Sequence, residues 1–142
     1  MVLGLLLFPV IFTGDLAAAE LRLRVTGLRV PSGTVHYALY NRAEDFPNAG
    51  GDIKGGSVPV AGTSVEVVLR DLKPGTYALA VFHDENENGV FDQGFLGWPL
   101  EGFGFSNGAV AWFGPPAFAE AAVQIGERET EAVVPLTYWP SP

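Results

Sequence analysis

The sequence predicts an all-β protein, a single antiparallel β-sandwich of about seven strands. Two observations favour this class. Short segments alternate apolar and polar residues with period two, and no long segment has a convincing period of 3.6. The 18 glycines and 11 prolines supply the turns that many short strands require.

The strands follow from the alternation of side chains. We expect them at 21–26, 34–41, 58–60, 64–70, 76–83, 122–125 and 130–138. The segments 34–41 and 76–83 are apolar on both faces, which predicts interior positions. Pro135 predicts that the last strand lies at an edge, because proline cannot donate to a sheet. Pro115 and Pro116 are expected to open one helical turn over 117–121.

The first residues are of a different kind. Val2–Phe12 is an almost unbroken apolar run, and Ala17-Ala18-Ala19 before Glu20 forms a small-residue cleavage pattern. We therefore predict a signal peptide at 1–19 and one domain at 20–142, exported to the periplasm or secreted. The run has about half the ~20 residues of a spanning helix, so no permanent membrane span is expected. No Lys or Arg precedes the run, so the true start lies upstream or the leader is atypical; a buried N-terminal element is the alternative.

Composition bounds the partners. The formal net charge is −8, which disfavours nucleic acid and favours multivalent cations. The chain has no cysteine, which removes disulfides, thiolate zinc sites and a cysteine nucleophile.

One loop has a chemically specific spacing. Calcium prefers six to eight oxygen ligands, and a loop with acids or amides at alternating positions can surround it. Gly89 occupies the sixth position, where the chain must turn sharply. The predicted Ca²⁺ ligands at positions one, three, five, seven and nine are Asp84, Asn86, Asn88, the carbonyl of Val90, and Asp92.

The loop departs from a helical calcium loop at its end. The twelfth position, where a bidentate Glu is expected, is Phe95, and Glu101 is the residue that could supply the missing ligand. With two carboxylates on ligand positions, the predicted affinity is on the order of 10⁻⁴–10⁻³ M. The alternative is a plain Asn-Gly-rich turn without a metal.

A glycine- and aromatic-rich stretch, 94–118, follows this loop. Its aromatic content predicts a flap packed on the sandwich. The alternative is a binding surface for sugars or peptides that uses exposed Trp98 and Trp112.

The catalytic inventory is poor. His36 and His83 are the only histidines, and neither a nucleophile elbow nor a His-Glu-x-x-His zinc motif is present. His83 is expected to orient the loop through Asp84. A hydrolase built on Asp84, Asp92 and His83 is the least favoured hypothesis, and we predict that the protein is not an enzyme.

Three motifs carry a resemblance. Leu72-x-Pro74-Gly75-Thr76-Tyr77, Phe82-His83-Asp84-x-Asn86-x-Asn88-Gly89 and Gly102-Phe103-Gly104-Phe105-Ser106-Asn107 together resemble a bacterial family of exported proteins catalogued as a domain of unknown function, number twenty-one forty-one. The Pro-Gly-Thr-Tyr turn is similar to that of transthyretin-like, immunoglobulin-like sandwiches, including carboxypeptidase regulatory domains and collagen-adhesin B-type repeats. The resemblance implies an exported sandwich, supports the four side-chain ligands, and implies no activity. The sequence favours a non-catalytic cell-envelope or adhesion-type module.

Overall fold

The computed structural model describes Pro9 and residues 18–139. The predicted leader lies outside the described residues apart from Pro9, Ala18 and Ala19. Ala19 is the first residue of β1, where it is buried and pairs with Leu72. Within the described part of the chain, no helix is long and apolar enough to cross a membrane.

The described chain contains eight strands, one short α-helix and two 3-10 turns, at Phe95–Gly97 and Ser106–Gly108. The strands and the α-helix are β1 (Ala19–Thr26), β2 (Thr34–Tyr40), β3 (Lys54–Pro59), β4 (Ser64–Leu72), β5 (Gly75–Asp84), β6 (Gly102–Phe105), α1 (Phe118–Ala121), β7 (Val123–Ile125) and β8 (Thr130–Pro135). The strands form two sheets, which confirms the all-β sandwich.

The smaller sheet has the order β4-β1-β8. β1 is antiparallel to β4 and parallel to β8, so one pairing departs from the expected antiparallel pattern. The alternation of side chains is the same in both pairings, so the sequence could not distinguish them. β8 lies at the sheet edge, as Pro135 predicts.

The larger sheet has the order β3-β2-β5-β6, with β7 pairing with the first residues of β5. The interior positions predicted for β2 and β5 are confirmed. β6 lies inside the stretch 94–118, so this stretch is not one continuous loop. A four-residue strand alternating Gly with Phe carries too few branched residues to be recognised as a strand.

Two apolar clusters flank the larger sheet. The inner cluster packs the two sheets together and includes Leu23, Val134, Leu39 and Leu79. The outer cluster lies on the opposite face, where Tyr40, Phe46, Phe105 and Phe118 pack around Ala78 and Ala80. Part of the stretch 94–118 therefore covers the outer face of the larger sheet.

The glycines of β6 permit the sheets to meet closely. A Cβ on Gly104 would lie 2.7 Å from the carbonyl oxygen of Pro135, and a Cβ on Gly102 would overlap the ring of Tyr138. The alternating Phe103 and Phe105 point to the other face, where they contact each other at 6.2 Å between ring centroids. The glycines of the Gly-Phe-Gly-Phe motif thus pack against the chain around Pro135 and Tyr138, and its phenylalanines pack on the other face of the sheet.

Candidate functional site: the Asp84–Asp92 loop

The loop begins where β5 ends on a buried carboxylate. Asp84 is 1% exposed and lies on the same face of the sheet as His36 of the neighbouring strand. Its Oδ1 accepts a hydrogen bond from the amide of Asn88 at 3.2 Å, and its Oδ2 accepts one from Gly89 at 2.8 Å. The Nε2 of His36 lies 3.0 Å from the same Oδ2. Asp84 therefore closes the loop back onto the end of β5.

The protonation state of Asp84 follows from these partners. Burial alone would raise the pKa of its carboxyl group, but the donors from Gly89, His36 and Asn88 outweigh burial and lower the pKa. The carboxylate is therefore ionised at neutral pH.

The two amides repeat one local pattern. The Oδ1 of Asn86 accepts from the amide of Asn88 at 3.3 Å, and the Oδ1 of Asn88 accepts from the amide of Val90 at 3.0 Å. Each side chain thus bonds to the backbone two residues later, as in an Asx turn. Both side-chain nitrogens donate to Asp92, at 2.7 Å from Asn86 and 2.8 Å from Asn88. These donors lower the pKa of Asp92.

The predicted spacing therefore brings the side chains of Asn86, Asn88 and Asp92 together, while Asp84 bonds to the backbone of the same loop. Gly89 has φ +75°, the left-handed conformation that the sharp turn requires. The side chain of Val90 is 60% exposed, which is compatible with a role through its backbone only. Phe95, at the twelfth position, is 83% exposed and extends into solvent.

Glu101 completes the site from the segment before β6. Its Oε2 accepts a hydrogen bond from the amide of Asp92 at 3.1 Å. The residue is only 4% exposed, and its Oε1 is buried without a hydrogen-bond partner. Burial raises the pKa of Glu101, and the charges of Asp92 and Asp84 raise it further.

A cleft of about 360 Å³ lies beside these groups. Its lining residues are Glu85, Asn86, Asp92, Gln93, Leu100 and Glu101. Across the described chain, no three acidic or histidine side chains lie close enough together to form a metal-binding group. Amide oxygens and a backbone carbonyl would have to complete any cation shell.

The two histidines have roles that the sequence did not predict. His83 is fully buried on the inner face of β5, so it does not bond to Asp84; this expectation was wrong because neighbouring strand residues face opposite sides. Its Nε2 lies 2.7 Å from the carbonyl of Ser32, which can only accept. Nε2 therefore carries a proton, and Nδ1 shares a hydrogen bond of 2.8 Å with the hydroxyl of Tyr138.

Trp98 and Trp112, the tryptophans of the alternative hypothesis, are both exposed. Trp98 is 46% exposed and stacks on Trp139, with ring centroids 4.9 Å apart. Trp112 is 78% exposed. Trp139 and His36 were missed as site residues. The pairing of β2 with β5 could have identified His36, because residues two apart across an antiparallel pair share one face.

One family model matches most of the chain. The model of a family described as "Uncharacterized protein conserved in bacteria (DUF2141)" matches residues 23–133, which includes the loop, Glu101 and the Gly-Phe-Gly-Phe strand. The chain belongs to this family. No curated protein matches the chain, and no solved structure matches it. The description of the family names no activity.

Proposed function

We propose that this protein is a non-catalytic, exported β-sandwich module in which one Ca²⁺ ion orders the Asp84–Asp92 loop. The observation that carries the proposal is the Oε1 of Glu101, a buried carboxylate oxygen without a partner beside Asp92. A buried, unpaired charged group is costly, and a cation in the adjacent cleft would offset that cost.

The ligand set consists of oxygen donors suited to a hard cation. The side chains are Asp84, Asn86, Asn88, Asp92 and Glu101, and Val90 offers its carbonyl. The side-chain N–H groups of Asn86 and Asn88 are the hydrogen-bond donors to Asp92. Rotation of the two amides would turn their oxygens towards Asp92, and a cation would then replace the N–H donors.

A binding role is favoured over catalysis by the environment of Asp84. Both of its oxygens accept hydrogen bonds from loop amides, and His83 lies on the opposite face of the strand. A hydrolase using Asp84, Asp92 and His83 would need these groups around one reacting atom.

Calorimetric titration with Ca²⁺ tests the proposal. We expect binding on the order of 10⁻⁴–10⁻³ M. Glu101→Gln keeps the shape of the side chain and removes its charge, so affinity should fall at least about tenfold, equivalent to ~1.4 kcal/mol. Asp92→Asn should act in the same direction.

Glu127→Gln is the matched control. Glu127 is exposed in the turn between β7 and β8, and its neutralisation removes the same charge without touching the loop. Absence of binding heat at millimolar Ca²⁺, or equal losses in Glu127→Gln and Glu101→Gln, would contradict the proposal.

The exposure of Trp98 and Trp112 favours a second candidate function, the binding of a carbohydrate or peptide on these rings, with Glu101 at the edge of the cleft. Tryptophan fluorescence that stays unchanged across a panel of glycans and peptides would contradict it.

A further inference from the structure

Two loops lie at one edge of the sandwich. The chain after β8 runs along β6, where Thr137 and Phe103 exchange backbone hydrogen bonds of 3.0 and 2.8 Å. Trp139, at one end of this segment, stacks on Trp98 of the first loop. Pro135, at the other end, lines a shallow depression together with Val110 and Ala111 of the second loop. The four steps from Pro135 to Trp139 span roughly 13 Å, so both loops lie at the same edge.

The first loop is a small hairpin over 92–101. Its base is closed by the amide of Leu100, which donates to the carbonyl of Asp92 at 3.0 Å, and its tip by Gly94, which donates to Trp98 at 2.7 Å. At this tip, Phe95 is 83% and Leu96 is 80% exposed. In the second loop, Trp112 is 78% exposed and Phe113 is fully exposed. We call these four residues the apolar tips.

The apolar tips hold strained backbone. Leu96 has φ +57° and Phe113 has φ +53°, in the left-handed region that bulky residues rarely adopt. Strain of this kind persists only where the surroundings or the function of a site require it. Since both side chains extend into solvent, packing does not supply the reason, and the two tips present large apolar groups outward.

The charge distribution defines what can cover this edge. Residues 93–119 contain one ionisable side chain, Glu101, which is buried, and residues 74–127 contain no Lys or Arg. The adjacent Asp84–Asp92 loop is acidic. The two loops are therefore apolar and carry no exposed charge, and they lie beside a negative region, which suits an electrically neutral surface and opposes an anionic one. Arg29, which lies over the ring of Tyr138 in the segment after β8, is paired with Glu85.

We propose that the apolar tips insert into the headgroup region of a zwitterionic lipid bilayer. The tips are exposed, and the depression beside the second loop has a volume of about 120 Å³, which is small for a ligand pocket. A bilayer needs no preformed pocket, and it accepts Phe and Leu in its apolar part with Trp at its interface. The three tryptophans of the chain, Trp98, Trp112 and Trp139, all lie on these loops or beside them.

Quenching of tryptophan fluorescence by brominated phosphatidylcholine vesicles tests this proposal on the full chain. The first 97 residues contain no tryptophan, so the signal arises at the proposed edge even if an N-terminal segment binds lipid by itself. The titration is made in EDTA, so that its outcome is independent of Ca²⁺ binding. We expect saturable quenching that weakens when phosphatidylglycerol is added to the vesicles.

The variant Phe95→Ser with Phe113→Ser should weaken the quenching at least about tenfold, because it removes both aromatic rings that would enter the apolar part of the bilayer. Both side chains are exposed, so the variant keeps the fold. Ile53→Ser is the matched control, because Ile53 is 48% exposed beside β3, at the opposite edge of the larger sheet.

No quenching, or equal quenching in the tip variant and the wild-type chain, would overturn the proposal. A fluorescence change with a soluble glycan or peptide in the absence of lipid quenching would also overturn it and assign the edge to that ligand.

Discussion

Ser106 joins separate segments of the chain through one buried hydroxyl group. It accepts a hydrogen bond from the amide of Leu79 at 2.8 Å and donates to the carbonyl of Ala121 at 2.5 Å. The side chain thus continues the ladder between β5 and β6 where β6 ends, and it fixes the end of α1. The side-chain amide of Asn107 adds a bond of 3.0 Å to the carbonyl of Glu120. Ser106 and Asn107, which follow the Gly-Phe-Gly-Phe strand, therefore hold α1 against the larger sheet.

We predict that Ser106→Ala destabilises the fold by about 1–3 kcal/mol, because it leaves a buried donor and a buried acceptor without partners. Ser64→Ala, at an exposed position of β4, should stay within about ±0.5 kcal/mol. Urea unfolding of the two variants measures the difference. Equal stability of the two variants would show that the hydrogen bonds of the Ser106 hydroxyl contribute nothing to stability.

Tyr40 has a partly buried, titratable hydroxyl group. Its hydroxyl is held near the carbonyl of Asn48 at 3.2 Å, and its ring is buried. Burial, with a smaller contribution from Asp52, raises the pKa of Tyr40 above 10.0. The folded chain thus holds this proton more tightly than the unfolded chain does. Stability from this group is complete below pH ~10 and is lost as the pH rises through the raised pKa.

The expected result is a melting temperature that falls above pH ~10, with a shallower fall in Tyr40→Phe. Thermal unfolding followed by circular dichroism between pH 8 and 11 measures it, with values chosen to bracket the ordinary tyrosine pKa of about 10. An identical pH slope in the variant and the wild-type chain would show that Tyr40 does not contribute.

At the scale of elements, the β6 strand depends on its glycines. A Cβ on Gly104 would lie 2.7 Å from the Pro135 carbonyl and 2.7 Å from the Val134 side chain, so β6 and β8 must separate. We predict that Gly104→Ala costs about 1–3 kcal/mol. Gly126→Ala is the control, because nothing lies within 4 Å of its added Cβ. Thermal melting compares the two, and a larger loss in Gly126→Ala would contradict the packing argument.

Side-chain alternation predicted some of the strands and not others. The alternation in β1, β4 and β5 predicted these strands, because each has one clearly apolar face or is apolar on both. β6 was not predicted, since its glycines are required by contacts with Pro135 and Tyr138 that are distant in sequence. The parallel pairing of β1 with β8 was missed for the same kind of reason: side-chain alternation carries no information on strand direction.

The site was predictable to the extent that it is local. Spacing within 84–92 identified the side chains that converge on the loop, and the structure brings Asp84, Asn86, Asn88 and Asp92 together by hydrogen bonds. The role of His36 required the register between β2 and β5. The burial of Glu101 required the return of the chain to the base of the hairpin, which no local pattern encodes.

At the scale of the whole molecule, the proposed cation site and the apolar tips share one structural unit. The hairpin 92–101 starts at Asp92 and ends at Glu101, and its tip carries Phe95 and Leu96. A cation held by Asp92 and Glu101 would therefore fix the base of the hairpin. The backbone hydrogen bonds of the hairpin already hold the tip without the ion, so Ca²⁺ is expected to add rigidity to it and not to be required for it.

The most direct test of the central claim is a Ca²⁺ titration followed by NMR of the side-chain amides of Asn86 and Asn88. Because both amides donate to Asp92 in the absence of the ion, we expect their resonances to shift together and to saturate at millimolar Ca²⁺. The side-chain amide of Asn48, which donates to the carbonyl of Glu44 far from the loop, should not move. Resonances of Asn86 and Asn88 that stay fixed at millimolar Ca²⁺, or that move only as Asn48 does, would contradict a calcium site in this loop.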